Sequence, residues 1–242
     1  MSSTFHSSSS VMPDAYSGTS KVAIVTGASS GIGLEVTNRL VAKGYRVVAN
    51  SRNITSAITL QATGDLKLVD GDIGLPETAQ LVVATAMRDF GRIDLLVNNA
   101  GVFIPKPFTD YLAEDFRRAT ETNLSGFFYV SQLAVRQMRL KKYGHVINIS
   151  SSLVTQPIAG VAASLTNLTK GGLESVTRAL AVEFAGVGIR FNAIAPGVVN
   201  TPMNPAETHE FLKQLSPIES GVTRESPRPL RFWGSRISVD AS

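Results

Sequence analysis

From residue 21 onward, short apolar runs rich in Val, Ile and Leu alternate with longer segments in which apolar residues recur every three or four positions. The short runs predict β-strands buried on both faces, and the longer segments predict amphipathic helices. The predicted strands are 22–26, 45–49, 66–69, 93–97, 145–149 and 189–195, and the predicted helices are 31–43, 77–90, 112–139 and 168–185. This alternation predicts an α/β protein with right-handed βαβ units and a doubly wound parallel sheet.

Both ends of the chain depart from this pattern. Residues 1–20 are rich in serine and contain no Lys or Arg, so we interpret them as a disordered leader rather than a targeting signal. Residues 216–242 contain three prolines and four arginines and show no periodicity apart from 237–239. A short helical pattern at 207–215 precedes this irregular tail. We therefore expect one folded domain over residues 21–215.

The composition excludes several kinds of site. The chain has 242 residues, of which 43% are hydrophobic and 17% charged, a balance typical of a globular protein with a substantial core. Because the sequence contains no cysteine, it has no disulfide, thiolate nucleophile or cysteine metal ligand. The histidines at positions 6, 145 and 209 lie far apart and show no ligand spacing, so we predict no metal site.

Charge and hydropathy give expectations about partners and location. The net charge is +4, but the basic residues are scattered, so we predict no nucleic-acid partner. No apolar run reaches the ~18 residues of a membrane span, so we predict no membrane anchor. Without cysteines or a targeting signal, the protein is expected in the cytoplasm.

A glycine-rich segment follows the first predicted strand directly and opens the first predicted helix. It reads Gly27-Ala28-Ser29-Ser30-Gly31-Ile32-Gly33. Glycines let a backbone turn sharply and approach a pyrophosphate, and the first turn of a helix offers free N–H donors to an anion. In this strand-to-helix context the spacing favours a dinucleotide-binding turn over a tight turn without a ligand.

The end of the second predicted strand indicates which dinucleotide is bound. A fold that prefers NAD usually has an acidic residue there, which binds the ribose 2′-hydroxyl. This chain has Ser51 and Arg52 instead, and an arginine can pair with a 2′-phosphate through charge-assisted hydrogen bonds. We therefore predict NADP(H) as the cofactor. Asp72, after the third strand, is a candidate acceptor for the adenine amino group, although a turn or cap aspartate explains it nearly as well.

Further motifs in the chain carry a family resemblance. They are Asn98-Asn99-Ala100-Gly101, Asn123 within Asn-Leu-Ser-Gly-Phe, Ile147-Asn148-Ile149-Ser150-Ser151, Lys170-Gly171-Gly172, and residues 196–203 with the sequence PGVVNTPM. With the glycine-rich segment, they make residues 20–204 resemble the short-chain dehydrogenase/reductase family. The resemblance implies a Rossmann fold in which residues 21–215 bind a dinucleotide and carry out catalysis.

The resemblance also implies which residues contact the cofactor. The glycine-rich segment would bind the pyrophosphate, and Asn99 would lie beside the adenosine and brace the central sheet. Lys170 would bind the nicotinamide ribose. The segment 196–201, which includes Val199 and Thr201, would contact the nicotinamide carboxamide.

The implied catalytic residues follow from the same resemblance. Asn123 would hold a helix kink and a proton-relay water. Ser151 would stabilise the substrate carbonyl oxygen, with Ser152 as a neighbouring candidate. In the family a tyrosine lies four residues before the lysine, on the same helix face. The lysine lowers the pKa of the phenol, which donates a proton as hydride reaches the substrate carbon.

The chain departs from the family at this tyrosine, because the position is Thr166. A threonine is too short to reach the same point, and its alcohol is far less acidic than a phenol. The proton is then left to Lys170, to Ser151 or to an ordered water, unless the substrate reacts without needing one there. Thr166 thus stays among the candidate catalytic positions with an altered role.

The second departure from the family is at the C-terminus. The family continues with a further helix and a last parallel strand, whereas residues 216–242 show no convincing version of either. We therefore expect the sheet to lack the family's last strand and to have an open edge.

Three functions fit these observations. The first is an NADPH-dependent reductase of a carbonyl or imine with altered acid–base chemistry. The second is an NADP(H)-binding protein with a non-redox role, such as cyclisation, isomerisation or sensing. The third is an inactive truncated copy of such a protein.

Substrate and assembly are inferred from the family and from apolar residues near the expected site. An apolar pocket is indicated by Phe103, Ile104, Phe108, Met203 and Phe211. The family resemblance implies a small hydrophobic carbonyl metabolite of specialised metabolism as the substrate. By analogy, helices 112–139 and 168–185 would form the contacts of a homodimer or homotetramer.

Overall fold

A computed structural model describes residues 20–197, 199, 201–203 and the backbone of residues 232 and 233. Six parallel strands form its sheet: β1 (Val22–Thr26), β2 (Arg46–Ser51), β3 (Leu66–Asp70), β4 (Leu95–Asn98), β5 (Gly144–Ile149) and β6 (Ile189–Ile194). Their order is β3-β2-β1-β4-β5-β6, followed by a short seventh strand. The predicted doubly wound parallel sheet is confirmed, with strand bounds close to those predicted.

Within the described residues, five α-helices connect or flank the strands. They are α1 (Gly31–Ala42), α2 (Pro76–Phe90), α3 (Ala113–Thr120), α4 (Gly126–Lys141) and α5 (Ser164–Glu183). The prediction of one continuous helix over 112–139 is wrong, because a π-helical turn, Glu121–Ser125, separates α3 from α4. None of the helices in the described ranges combines the length and apolarity needed to cross a bilayer.

Both faces of the sheet are covered, because strand residues alternate between two apolar cores. All five residues of β1 are buried. Val22 and Ile24 pack with α2 and α4 on one face, whereas Ala23 and Val25 pack with α1 on the other. Burial on both faces explains why the strands read as continuous apolar runs in the sequence.

A loop without a helix connects β2 to β3. Within residues 52–65, Ile54 and Leu60 are buried in the apolar core on the α1 face. Thr55 donates its backbone N–H to Asp70 Oδ1 at 3.0 Å and its hydroxyl to Asp70 Oδ2. Donation from Thr55 lowers the pKa of the Asp70 carboxyl. These contacts hold the loop beside the carboxyl end of β2.

The outer edge of β6 is partly covered by a strand that we did not predict. Strand β7 (Phe232–Trp233) pairs antiparallel with Ala193 and Ile194. A two-residue strand has no periodicity that a sequence could reveal. No parallel strand lies beyond β6 in the described part of the chain. The predicted leader, the helical pattern at 207–215 and the pattern at 237–239 lie outside the described residues.

The strand order creates a crevice at one edge of the sheet. Strand β1 lies between β2 and β4, so the connections leaving β1 and β4 run in opposite directions. Ligands of doubly wound sheets bind outside the carboxyl ends of the strands at such a switch point. The glycine-rich segment after β1 and residues 98–101 after β4 both lie at this edge.

A buried ion pair supports the opposite edge of the sheet and gives a stability prediction. Arg92 binds both carboxylate oxygens of Asp94, at 2.6 and 2.8 Å, and Asp94 Oδ2 also accepts the backbone N–H of Val22 at 2.8 Å. Replacing Arg92 with alanine leaves the Asp94 charge buried without its cation. We expect Arg92→Ala to lower the free energy of unfolding by about 3–5 kcal/mol in urea titrations.

Arg88→Ala is the matched control, because Arg88 forms a similar two-bonded pair with Asp89 on the surface. The Arg88 side chain is 68% exposed, so its removal should leave the urea midpoint nearly unchanged. Equal effects of the two variants would contradict the role assigned to burial.

Candidate active site

Two adjoining cavities occupy the crevice at the carboxyl ends of the strands. The larger one, about 480 Å³, runs from the glycine-rich segment to the ends of β2 and β3. The smaller one, about 310 Å³, extends toward the start of α5. Ile32, Asn99, Gly101 and Thr201 line both cavities. The arrangement provides a long cleft for a two-part ligand and a separate space for a smaller one.

The glycine-rich segment forms a cradle that other residues cannot form. Gly27 has a φ of +64°, and a Cβ there would lie 2.8 Å from Ala100 Cα. A Cβ on Gly33 would collide with the Gly27 carbonyl oxygen and with Asn99 Nδ2. The turn therefore brings the start of α1 close to β1 and leaves the backbone open to the cleft. These residues fit a pyrophosphate at a helix N-terminus.

Lining the cleft at this turn are the predicted residues Gly27, Ser29, Ser30, Gly31 and Ile32. Gly33 lies behind them, where it permits the close packing of helix against strand.

Asn99 fastens the glycine turn to the end of β4. Its Nδ2 donates to the carbonyl oxygens of Thr26 and Gly27 at 3.0 and 3.1 Å. Thr26 Oγ1 accepts the backbone N–H groups of Asn99 and Ala100, each at 3.1 Å. These hydrogen bonds connect β1, β4 and the glycine turn. Asn99 therefore lies where it can brace the central sheet, as the resemblance implies.

The end of β2 presents hydroxyl groups and one cation to the cleft. Ser29 Oγ and Ser51 Oγ lie 2.9 Å apart. Arg52 is exposed and, among the described residues, makes no ion pair with a carboxylate. A recess of about 400 Å³ beside it is also lined by Ser56 and Thr59. These residues present one positive charge and several hydrogen-bond donors to the cleft.

Asp72 combines the two interpretations that the sequence left open. Its Oδ1 accepts the Gly74 N–H at 2.8 Å, which makes it a turn residue. It also lines the larger cavity near Arg52. Asn50, which the sequence analysis missed, lines this end too, and its Nδ2 donates to the carbonyl oxygens of Val69 and Gly71 at 3.0 and 3.2 Å.

The smaller cavity brings together Ser151, Thr166 and Lys170. Thr166 and Lys170 lie one turn apart on α5, and both are buried. Lys170 Nζ donates to the Ile149 carbonyl oxygen at 2.8 Å. Burial lowers the pKa of the Lys170 ammonium from its ordinary value to about 8. Ser151 follows β5, and its Oγ accepts the Leu153 N–H at 3.3 Å.

Asn123 lies in the π-helical turn behind the Lys170 side chain. Its Nδ2 donates to Thr169 Oγ1 at 3.0 Å and to the Val102 carbonyl oxygen at 3.2 Å, while its Oδ1 accepts the Val102 N–H at 2.9 Å. The amide therefore ties the distorted helix to α5 and to the segment after β4. This places the helix distortion where the sequence motif located a kink.

The sequence analysis missed a buried carboxylate next to these residues. Ser150 Oγ donates to Glu174 Oε1 at 2.5 Å, and both residues are nearly inaccessible to solvent. Glu174 lies four residues after Lys170 and therefore on the same helix face. This spacing is the signal that could have identified it.

The apolar lining only partly agrees with the prediction. Phe103 and Met203 line the smaller cavity, Phe108 is 81% exposed, and Ile104 lines neither cavity. Phe211 lies outside the described residues. Additional apolar lining comes from Leu153, Ile158 and Val161, which sit in a segment without any periodic pattern.

The residues predicted to contact the nicotinamide carboxamide also agree only in part with the lining of the cavities. Pro196, Gly197 and Thr201 line the smaller cavity, together with the predicted alternative Ser152. Val199 does not line either cavity.

Comparisons with known proteins agree with this geometry. The short chain dehydrogenase family model matches residues 21–211. A 3beta-hydroxysteroid dehydrogenase of Eggerthella lenta is 36% identical over 233 residues, covering 92% of this chain and 84% of that protein.

Two solved structures show the same fold with a bound dinucleotide. A gluconate 5-dehydrogenase of Burkholderia cenocepacia in complex with NADP and tartrate is 30% identical, with a TM-score of 0.70, and the match covers 78% of this chain and 75% of that one. A 3-ketoacyl-(acyl-carrier-protein) reductase of Brucella melitensis complexed with NADH is 28% identical, with a TM-score of 0.69 and coverage of 76% and 78%.

The chain therefore belongs to the short-chain dehydrogenase family of oxidoreductases. The predicted family and enzyme class are confirmed, and the comparisons favour a redox enzyme over the non-redox interpretation. Because one of the two neighbours holds NADP and the other NADH, the choice of dinucleotide depends on the residues of this chain.

The close packing behind the glycine turn gives a binding prediction. We expect Gly33→Ala to push the start of α1 away from Gly27 and Asn99, at a cost of about 1–3 kcal/mol. Dinucleotide affinity measured by calorimetric titration should fall about tenfold or more.

Gly64→Ala serves as the control, because a Cβ there meets no atom within 4 Å. It should bind dinucleotide like the unmodified protein. Unchanged affinity in Gly33→Ala would show that the turn does not form the binding cradle.

Proposed function

We propose that this protein is an NADP(H)-dependent oxidoreductase that reduces a carbonyl or imine group of a small hydrophobic metabolite, with altered acid–base chemistry. One observation carries the proposal: a glycine cradle with a neighbouring unpaired arginine leads into an apolar cavity that contains Ser151 and Lys170. A dinucleotide bound along this cleft would supply hydride to a substrate in the smaller cavity.

Arg52 and the hydroxyl-lined recess beside it support NADP(H) over NAD(H). The guanidinium is exposed and forms no ion pair within the described part of the chain, and Ser51 and Ser29 add donors within the same region. A 2′-phosphate carries the charge that these groups can bind, whereas a 2′-hydroxyl leaves Arg52 without an anion. Asp72 retains Oδ2 for the adenine amino group, since only Oδ1 is used in the turn.

The lining of the smaller cavity supports a hydrophobic substrate. Phe103, Leu153, Ile158 and Val161 are among its lining residues, and Gln156 adds a polar group. The Eggerthella lenta relative is named for a steroid substrate, which is consistent with an apolar cavity. A small or medium-sized ketone of specialised metabolism fits about 310 Å³.

Three residues of the chain would share the chemistry. Ser151 Oγ would donate to the substrate oxygen, and Lys170 would hold the nicotinamide ribose. Asn123 would fix the position of α5 relative to the segment after β4. Thr166 occupies the family's tyrosine position and leaves the proton transfer altered. Exposed apolar residues on α4 and α5, Phe128 and Leu168, support a homodimer or homotetramer through these helices.

The choice of dinucleotide can be tested at Arg52. Arg52→Ala removes the cation that would pair with the 2′-phosphate, and a hydrogen bond to a charged group is worth about 1.5–3 kcal/mol. We expect NADPH affinity to fall about 10- to 100-fold and NADH affinity to stay within about twofold, as measured by calorimetry.

Arg39→Ala is the matched control, because Arg39 is an exposed arginine on α1 that pairs with Glu35 at 2.6 Å. It should not change the affinity for either nucleotide. An equal loss of NADPH and NADH affinity in Arg52→Ala would indicate a general effect on the site and contradict 2′-phosphate recognition.

The acid–base chemistry can be tested at Thr166. Thr166→Tyr adds a phenol one turn before Lys170, and a positioned general acid typically contributes about 10²- to 10⁴-fold in rate. We expect kcat for ketone reduction to rise at least tenfold, with the Kd for NADPH unchanged. Thr166→Phe, which has the same ring without the hydroxyl, should show no rise. A gain in both variants would mean that bulk, and not the phenol, is responsible.

A further inference from the structure

The small side chain at position 166 leaves the Lys170 ammonium facing the substrate cavity. Thr166 and Lys170 line the same wall of that cavity, one helical turn apart. A side chain that ends at a branched β-carbon cannot extend over the lysine as a long aromatic residue would. The space between Ser151 and Lys170 is therefore part of the cavity.

The position of the ammonium is defined by its neighbours. Lys170 Nζ donates to the Ile149 carbonyl oxygen at 2.8 Å, and Ile149 lies two residues before Ser151 at the same strand end. On the opposite side, a Cβ on Gly101 would lie 3.0 Å from Nζ. Gly101 thus makes room for the ammonium beside the cleft. One hydrogen bond to Ile149 leaves two N–H groups of the ammonium for other acceptors.

The charged groups around Lys170 are either engaged elsewhere or distant. Glu174, on the same helix face, accepts a hydrogen bond from Ser150, and Glu121 in the π-helical turn is paired with Arg117. The other charged or titratable residues on α5 and on the described elements packed against it are Arg178 and Glu183 on α5, Glu114, Asp115, Arg117 and Arg118 on α3, His145 on β5 and Arg190 on β6. None of these shifts the pKa of Lys170, which burial alone lowers.

We infer that the Lys170 ammonium itself donates the proton to the substrate oxygen during reduction, through the space that Thr166 leaves open. The inference rests on the proposed reductase function and deepens it by naming the acid. Lys170 is then a catalytic residue in addition to a cofactor contact, and Ser151 orients the oxygen that accepts the proton.

The proton and electron balance is complete with a bound dihydronicotinamide dinucleotide as the hydride donor. The N–H bond of the ammonium breaks, and an O–H bond forms with the electron pair of the carbonyl π bond. The substrate carbon gains the hydride, so the ketone becomes an alcohol and the dinucleotide is oxidised. The neutral Lys170 amine then regains a proton from water.

A direct titration of Lys170 provides a test that does not depend on turnover. The cofactor-free protein is exposed briefly to formaldehyde and cyanoborohydride across pH 6 to 11, and methylation of each lysine is quantified by peptide mass spectrometry. Only the neutral amine reacts, so the midpoint of the labelling curve reports the pKa. We expect a midpoint near 8 for Lys170. A midpoint at the ordinary value of 10.5 would overturn the inference.

Proton transfer from Lys170 is then tested by steady-state kinetics at saturating NADPH, with aryl ketones and steroid ketones as probe substrates. Because the ammonium form donates, kcat for reduction should be constant at low pH and fall as the pH rises through the pKa that Lys170 has in the complex with NADPH and ketone. Lys170→Met should lower kcat about 10²-fold or more even when NADPH is saturating. If only the KM for NADPH rises, the lysine serves binding alone and the inference is wrong.

Lys170→Arg separates charge from proton donation. Arginine keeps the positive charge and can donate to the Ile149 carbonyl oxygen, but it does not lose its proton in proteins. We expect this variant to bind NADPH better than Lys170→Met and to remain equally slow. Recovery of kcat in Lys170→Arg would show that a fixed charge is enough.

Lys141→Met is the matched control for loss of a lysine. Lys141 Nζ also donates to a backbone carbonyl, that of Gly91 at 3.0 Å, and lies away from the cleft. It should leave kcat and its pH profile unchanged.

The unmodified protein and Thr166→Tyr distinguish failure of the inference from failure of the proposed function. If the unmodified protein reduces no probe but Thr166→Tyr does, the reductase pocket is supported and proton donation by Lys170 is refuted. If neither protein turns over any probe while both bind NADPH, the proposed function itself fails.

Discussion

The attachment of α5 to the carboxyl end of β5 determines the geometry of the site. Three consecutive residues, the last two of β5 and the one that follows it, each bind a different turn of the helix. Asn148 Nδ2 donates to Thr177 Oγ1 at 2.8 Å, Lys170 Nζ binds the Ile149 carbonyl oxygen, and Ser150 Oγ binds Glu174. These polar contacts are buried, where hydrogen bonds are strong and misplacement is costly. They set both the rotation and the height of the helix that carries Thr166 and Lys170.

The same buried network extends from β5 to the cofactor side of the sheet. Asn98 Nδ2 donates to Asn148 Oδ1 at 2.8 Å and to Ser131 Oγ on α4 at 2.9 Å. One residue further along, Asn99 fastens the glycine turn. Neighbouring asparagines therefore link the helix with the reactive residues to the turn that cradles the dinucleotide. The two halves of the site are therefore connected by hydrogen bonds from adjacent residues of β4, β5 and the segments that follow them.

The buried contacts that hold this site together do not involve the side chain of Thr166, the position of the family's tyrosine. Thr166 is buried and lines the cavity, while the contacts of Lys170, Asn123 and Ser151 are made with backbone groups or with other polar side chains. None of those contacts requires a phenol. Thr166 and the buried Lys170 beside it both line the smaller cavity.

The sequence by itself determined the sheet, the position of the glycine turn, the family and most of the residues at the crevice. Apolar periodicity reports burial on one or both faces, and the motifs lie next to strand ends that must meet at one edge of a parallel sheet. Tertiary structure alone decided the π-helical turn, the pairing of Ser150 with Glu174, the walls formed by Leu153, Ile158 and Val161, and the short strand β7. Each of these depends on contacts between residues distant in the chain or on irregular backbone, neither of which has a period that a sequence can display.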